Sequence, residues 1–181
     1  MAKKAALAIT LVAFGVLRVF AQGDEGGLIE GNKWAFLVSA PTGWVWDART
    51  LRIQGISGLF YKAGTEYSPS KLNIYISPTS KGPGEPVALS DFIQADEATF
   101  MKSNPGTIIK DIAPYSPGLD YRFILRDFDD QNENYYQSLA YYEGEDAFFI
   151  FVLSCRSPAE REDERASFLE LLDSFVYIRK E

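Results

Sequence analysis

From Lys33 onward, large apolar side chains alternate with smaller or more polar ones, with Trp34, Phe36 and Val38 two apart until Pro41. A period of two puts one set of side chains on a single sheet face, which predicts a strand. Pro41, Thr42 and Gly43 predict a turn, after which Trp44, Val45 and Trp46 resume an aromatic segment. Residues 57–62 and 71–77 predict the next two strands. In the second, Leu72, Ile74 and Ile76 share one face, and Lys71, Asn73 and Tyr75 share the other. Residues 78–86 are a loop by composition, with Lys-Gly-Pro-Gly at 81–84.

A helix is expected from a Ser90 cap to about residue 103, with Phe92, Ala95 and Thr99, flanked by Ile93, Phe100 and Met101, as its apolar stripe. Asn104, Pro105 and Gly106 stop it, because proline disfavours helical geometry in the residue before it. Two strands follow, over 107–115 and 119–128, separated by Ser116, Pro117 and Gly118. In the second, Leu119, Tyr121, Phe123 and Leu125 face one way, and Asp120, Arg122 and Arg126 mostly the other. After a polar loop at 129–132, a strand is expected over 135–142 and another over 147–155. The last has Phe148, Ile150 and Val152 on one face and Phe149, Phe151 and Leu153 on the other. A strand apolar on both faces belongs in the middle of a sheet covered on both sides. Ser157, Pro158 and Glu160 form a capping box with proline at the first helical position. Phe168, Leu171, Leu172 and Phe175 then recur at helical spacing, while the charged run 160–165 is expected to be a solvated first turn or two. The whole predicts an α+β fold, a single-domain α/β/α sandwich. Its sheet is mostly antiparallel, with a mid-chain helix and a C-terminal helix packed on it.

The N-terminus follows a different pattern. Met-Ala-Lys-Lys precedes an apolar run from Ala5 to Phe20, with Val19 and Ala21 as the small-residue cleavage pattern. This is the form of a cleavable secretory signal at 1–21, leaving Gln22 as the new N-terminus. Arg18 interrupts the run before the ~20 apolar residues a membrane span requires, so no transmembrane anchor is expected after cleavage. Residues 22–32, acidic and Gly-rich, are expected to be a flexible lead-in to one domain over 33–181. Removing 1–21 takes away Lys3, Lys4 and Arg18 but no acid, so the net charge falls from −7 to −10. Such an acid excess repels nucleic acid phosphates and anionic lipid. The single cysteine, Cys155, excludes an internal disulfide.

Beyond these patterns the chain resembles the PsbP-like group of α/β/α sandwich proteins, which includes the periplasmic DcrB-like family. The resemblance rests on Trp34–Ser39 running into Pro41-Thr-Gly43-Trp44, on the mid-chain helix around Asp91, Phe92 and Ile93, and on the strand through Cys155 leading to a helix that ends in Ser174-Phe175. It implies an exported accessory or binding protein of the periplasm or beyond. Such proteins typically attach to larger membrane-associated assemblies. No catalytic residue is carried by the shared positions.

The chemistry available is restricted. With no histidine, every serine or cysteine nucleophile lacks its usual general base. One cysteine and no histidine do not supply a zinc site. No cofactor, metal or catalytic set is read from the residues, and an enzyme is not expected. A carboxylate-dependent hydrolase is the least favoured alternative. Asp127, Asp129 and Gln131 alternate as in a calcium loop but lack its glycine and distal glutamate, and a hairpin loop is the simpler reading. Trp44 and Trp46, with Tyr61, Tyr67 and Tyr75, form either core packing or an aromatic cleft. Trp46 and Tyr61 are the candidates for an interaction surface, and a small-ligand carrier is the alternative function. Arg122 and Arg126, four apart in a strand, are candidates for a cationic strip, against cross-strand pairing with acids. Cys155 is expected to be a buried, inert thiol. The leading expectation is a non-enzymatic, exported binding or assembly-accessory protein of the cell envelope.

Overall fold

The computed structural model of the chain describes residues 26–47, 56–68, 72–82 and 88–180. The expected signal segment 1–21, residues 22–25 and residues 83–86 of the expected glycine–proline loop lie outside them. A seven-stranded sheet, antiparallel throughout, has the order β3(Trp44–Trp46), β4(Gly58–Lys62), β5(Asn73–Ser80), β9(Ala147–Cys155), β8(Tyr135–Glu143), β7(Phe123–Asp130), β6(Ile108–Tyr115). A second sheet of three strands joins β1(Gly26–Glu30), β2(Trp34–Ser39) and β10(Val176–Arg179), with β2 in the middle. Helix α1(Leu89–Ser103) covers one face of the large sheet. Helix α2(Pro158–Ser174) and the small sheet cover the other. The α/β/α layering expected from the sequence is present, and the small sheet widens one of its layers.

β9 lies at the centre of the large sheet, and every one of its residues is buried. Phe149, Phe151, Leu153 and Cys155 enter the core beneath α2 and the small sheet, together with Phe36, Phe168, Leu171, Leu172 and Phe175. Phe148, Ile150 and Val152 enter a second core beneath α1, with Phe92, Ile93, Phe128, Leu139 and Tyr141. Edge-to-face contacts dominate the first core, Phe151 lying 5.1 Å from Phe175 and 5.5 Å from Phe123. In the second, Phe92 stacks on Phe148 at 4.6 Å.

The helix ends follow from local chemistry. Ser157 caps α2, its hydroxyl accepting from the Glu160 amide at 3.1 Å, with Pro158 at the first helical position. The return arm of the box shifts by one residue: the Glu160 carboxylate accepts from the Arg156 amide at 2.8 Å. α1 begins one residue earlier than the expected Ser90 cap. Its N-cap is Ala88, which offers no side-chain acceptor, and Ser90 lies inside the first turn.

Four further expectations are corrected. Residues 26–30 are not a loose lead-in; they form β1, which pairs with β2 through Leu28 opposite Leu37. β5 runs past the expected loop boundary to Ser80, with Pro78 inside it. Lys81 donates to the Asp146 carbonyl, and the Ile76 carbonyl accepts from Ser57, so even-numbered residues of β5 direct their backbone groups toward β4. β4 has ended before Pro78, whose missing N–H therefore faces no partner strand. Residues 119–122 precede β7 instead of starting it, and Leu119 is fully exposed. The chain does not end with α2, because β10 returns to complete the small sheet.

Phe151→Ala removes a fully buried ring from the central strand. We expect a loss of about 3–5 kcal/mol, read from urea unfolding; a loss below ~1 kcal/mol would show that the core beneath α2 does not depend on β9.

Candidate functional site

The four residues singled out from the sequence do not meet at one place. Trp46 and Tyr61 lie on opposite faces of the large sheet, because β3 and β4 pair Trp46 with Phe60 and Val45 with Tyr61. No single cleft contains both. Trp46 belongs to the α2 face, where its ring packs on β1. A Cβ added to Gly27 would lie 1.8 Å from the Trp46 ring, so the glycine is what lets the indole seat there. Its Nε1, like that of Trp44, is buried without a hydrogen-bond partner. Trp44 is buried beside its turn, under the Lys62 ammonium 4.7 Å from the ring centroid. Trp46 is therefore a wedge between two sheets more than an exposed anchor.

Tyr61 faces the α1 side and packs against Tyr67, with ring centroids 6.3 Å apart. Tyr75 shares that face, and the Gln137 side-chain amide donates to both the Tyr75 and Tyr135 hydroxyls at 3.2 and 2.8 Å. Asp96 of α1 accepts from the Tyr141 hydroxyl at 2.7 Å, yet burial outweighs that bond and holds its carboxyl above the usual range. The phenols of Tyr75 and Tyr141 are raised chiefly by burial, so both stay protonated at neutral pH.

Arg126 follows the cross-strand pairing reading. It stands directly opposite Asp111 on β6, with Nη1 at 3.0 Å from that carboxylate and Nε donating to Glu97 of α1 at 3.0 Å. Arg122 is exposed and lies one residue before β7, outside the strand that carries Arg126, so the two do not form the expected strip along one strand. Cys155 is buried, and burial above all pushes its thiol up to about 12, which keeps it protonated and inert.

The charged start of α2 differs from the sequence expectation. Arg161 is buried, not solvated. Its Nη1 donates to the Asp129 carboxylate at 2.5 Å, and its Nε lies 3.5 Å from the Asp127 carboxylate. Arg165 reaches Asp127 at 2.8 Å, the Ser138 hydroxyl donates to Asp127 at 2.6 Å, and Lys110 holds Asp129 at 2.6 Å. A signal for this was present: Arg161 and Arg165 stand seven residues before Phe168 and Leu172, so they extend the buried stripe toward the helix N-terminus. The acidic run that looks like a calcium loop is divided by the pleat. Asp127 and Asp129 turn under α2 to meet arginine, while Asp130 accepts from the Asn132 and Glu133 amides of its own turn. Burial pushes Asp129 up, but its bonds to Lys110 and Arg161 outweigh this and hold its carboxyl below the usual value.

Two surfaces remain open. On the outer face of the small sheet, Leu28, Leu37 and Val176 form one cross-strand row, with Ile178 beside it. Leu28 is 50% and Val176 44% exposed. The ion pair of Lys180 with Glu30, at 2.8 Å, flanks the row. The second surface is a groove of about 460 Å³ between α1 and β7, lined by Leu89, Ser90, Ile93, Glu97, Ile124 and Arg126 among others. Among the described residues no helix is long and apolar enough to cross a membrane, and no group of three or more His, Cys, Asp or Glu is placed to hold a metal ion.

No known protein family and no curated protein matches the chain by sequence. Among solved structures, it is similar to the solution structure of cyanobacterial PsbP (CyanoP) from Synechocystis sp. PCC 6803, with a TM-score of 0.54 and 12% identity over 86% of this chain and 94% of that one. At that identity the likeness establishes the fold: the chain has a PsbP-like fold.

Arg161→Ala leaves Asp127 and Asp129 buried without their central cation, and should cost about 3–5 kcal/mol in urea unfolding, with Arg161→Met costing less. Because the folded Asp129 carboxyl sits below its ordinary value of 3.8, its contribution is fully present above that pH and is lost as pH falls toward the folded value. Asp129→Asn should therefore flatten the acid limb of the melting-temperature profile; an unchanged limb would remove Asp129 from the account.

Proposed function

We propose that this protein is a non-enzymatic, exported accessory protein that docks on a membrane-associated protein complex of the cell envelope through the outer face of its small sheet. The observation that carries this reading is the apolar row on the outer face, with Leu28, Val176 and Ile178 exposed around a half-buried Leu37. Nothing in the packing of the domain uses these side chains, since the opposite face of the same sheet supplies the core with Ile29, Phe36 and Val38. Contiguous apolar residues with a charged rim are the form of a protein-binding patch. The acid excess of the chain opposes nucleic acid and anionic lipid as partners and leaves protein as the favoured class.

The PsbP-like fold and the N-terminal export pattern support this reading, and an affiliation with the periplasmic DcrB-like proteins belongs to it. Non-enzymatic status rests on residue chemistry: no imidazole is present, the cysteine is buried, and the buried carboxylates Asp127 and Asp129 are held by cations.

Two measurements test it. The protein secreted or released from its native envelope should begin at Gln22 by N-terminal sequencing; an intact Met1 would overturn cleavage. Tagged protein should retain one defined membrane complex from the envelope fraction, and Leu28→Glu or Val176→Glu, both at exposed positions, should reduce its recovery at least tenfold with the melting temperature unchanged. Undiminished recovery by both variants would remove the small sheet as the docking face, and reproducible turnover of a substrate would overturn the non-enzymatic reading.

A further inference from the structure

We propose that Asp96 makes the seating of α1 on the large sheet depend on a proton: the helix is held while this carboxyl is protonated and loosens when it ionises. The device is independent of the docking face on the small sheet.

The helix turns Phe92, Ile93, Asp96 and Phe100 to the sheet and leaves Ala95 and Thr99 of the expected stripe exposed. Phe92 stacks on Phe148 at 4.6 Å, and Phe100 meets Phe128 edge-on at 4.9 Å. Positions 92, 96 and 100 are four apart and lie one above another on a helix face. A half-buried carboxyl therefore stands in the middle turn of an otherwise apolar contact. Among the described residues it receives one hydrogen bond, from the Tyr141 hydroxyl at 2.7 Å, and Tyr141 is itself fully buried. The N-cap Ala88 gives the first turn no side-chain acceptor, so the seating of α1 rests on this stripe.

The groups around Asp96 do not compensate its charge. Glu97, the next residue, carries the same sign. Arg126 of β7, the cation lining this side of α1, is engaged elsewhere: Nε with Glu97 and Nη1 with Asp111 of β6, both at 3.0 Å. β8 presents the Tyr141 phenol and β5 the Tyr75 phenol, both kept protonated by burial. From β9, Phe148, Ile150 and Val152 bring no ionisable group. Lys81 lies over the Phe148 ring at 4.5 Å but pairs with Glu143 at 2.6 Å. Partial burial with one neutral donor and a like charge alongside disfavours the ionised form. The carboxyl accordingly sits above its ordinary value of 3.8; burial is the largest cause, Glu97 adds to it, and the Tyr141 bond acts against it.

A raised folded-state value means that the seated helix holds its proton more tightly than the free chain does. The contribution of Asp96 is therefore fully present below 3.8 and is lost as pH rises through the folded value. Asp129 beneath α2 has the opposite sign, so acid weakens the hold on one helix and rising pH the hold on the other. The Glu97–Arg126 pair also needs an ionised carboxylate, so on α1 itself it acts against Asp96, and the effect of Asp96 is isolated by its own substitution.

The test is amide hydrogen exchange of the isotope-labelled full chain from about pH 4 to about pH 8, expressed as protection factors so that the intrinsic pH dependence of exchange is removed. Protection of α1 amides 92–103 should fall as pH rises, by as much as about tenfold per pH unit for a single proton, while β9 amides hold theirs. Asp96→Asn keeps an acceptor for the Tyr141 hydroxyl without the charge, and should retain the acid-side protection across the range. Tyr141→Phe removes the donor to the ionised carboxylate and should enlarge the fall. In the parent protein the side-chain carboxyl carbon of Asp96 should titrate above 3.8, a readout that requires no variant to fold. An Asp96 titration at or below that value, a fall that persists unchanged in Asp96→Asn, or a fall shared equally by β9 would each overturn the proposal. So would constant α1 protection over the whole range. Leu28→Glu should leave the pH dependence of α1 unaltered, which separates this outcome from that of the docking face.

Discussion

A strand buried on both faces cannot be stable on its own, and β9 is such a strand along its whole length. Its backbone groups require a partner strand on each side, and its two apolar faces require a layer above and a layer below. Those demands account for the architecture. β5 and β8 flank it, α1 covers Phe148, Ile150 and Val152, and α2 with the small sheet covers Phe149, Phe151 and Leu153. The small sheet is needed because α2 alone does not cover that face. Phe36 of β2 fills the space beside Phe149 and Phe175, at ring separations of 5.4 and 5.7 Å.

Beyond the aromatic core, the α2 face continues toward β6 and β7 as a charged layer. There Arg161 and Arg165 take the place of hydrophobic side chains, and Asp127, Asp129, Lys110 and Ser138 satisfy them. Such a cluster specifies how α2 sits across the strands, because its geometry is satisfied in one register only, whereas apolar contacts tolerate sliding. It also explains why an acidic run with the spacing of a cation loop is occupied by the protein's own cations.

With the core satisfied on both faces, the surfaces left open to a partner are those the packing does not consume. The outer row of the small sheet is apolar and leaves Leu28, Val176 and Ile178 exposed. The α1–β7 groove lies between one side of the helix and Ile124 and Arg126 of the strand. Both features are built on strands and helices of the domain and not on its loops. The PsbP-like fold supplies that frame, and the sites depend on the particular side chains placed on it.

The sequence by itself determined the order and type of most elements, the central place of β9, the stripe of α2 and the cap at Ser157, because each of these follows from periodicity or from contacts within a few residues. It also determined that imidazole chemistry and an internal disulfide are absent. Which face each side chain meets was legible only within a strand; between strands it depends on register. Trp46 and Tyr61 were candidates for one surface, yet the β3–β4 register pairs Trp46 with Phe60 and sends Tyr61 to the opposite side of the sheet. Arg126 was legible as either part of a cationic strip or a partner of acids across strands, and only the packing decides for the second by bringing Asp111 and Glu97 to it from two other elements. β1 and β10, whose segments carry little pattern of their own, are strands because β2 offers both edges for pairing. The groove and the outer apolar row arise from non-local pairing, which local patterns do not encode, and only the tertiary structure could place them.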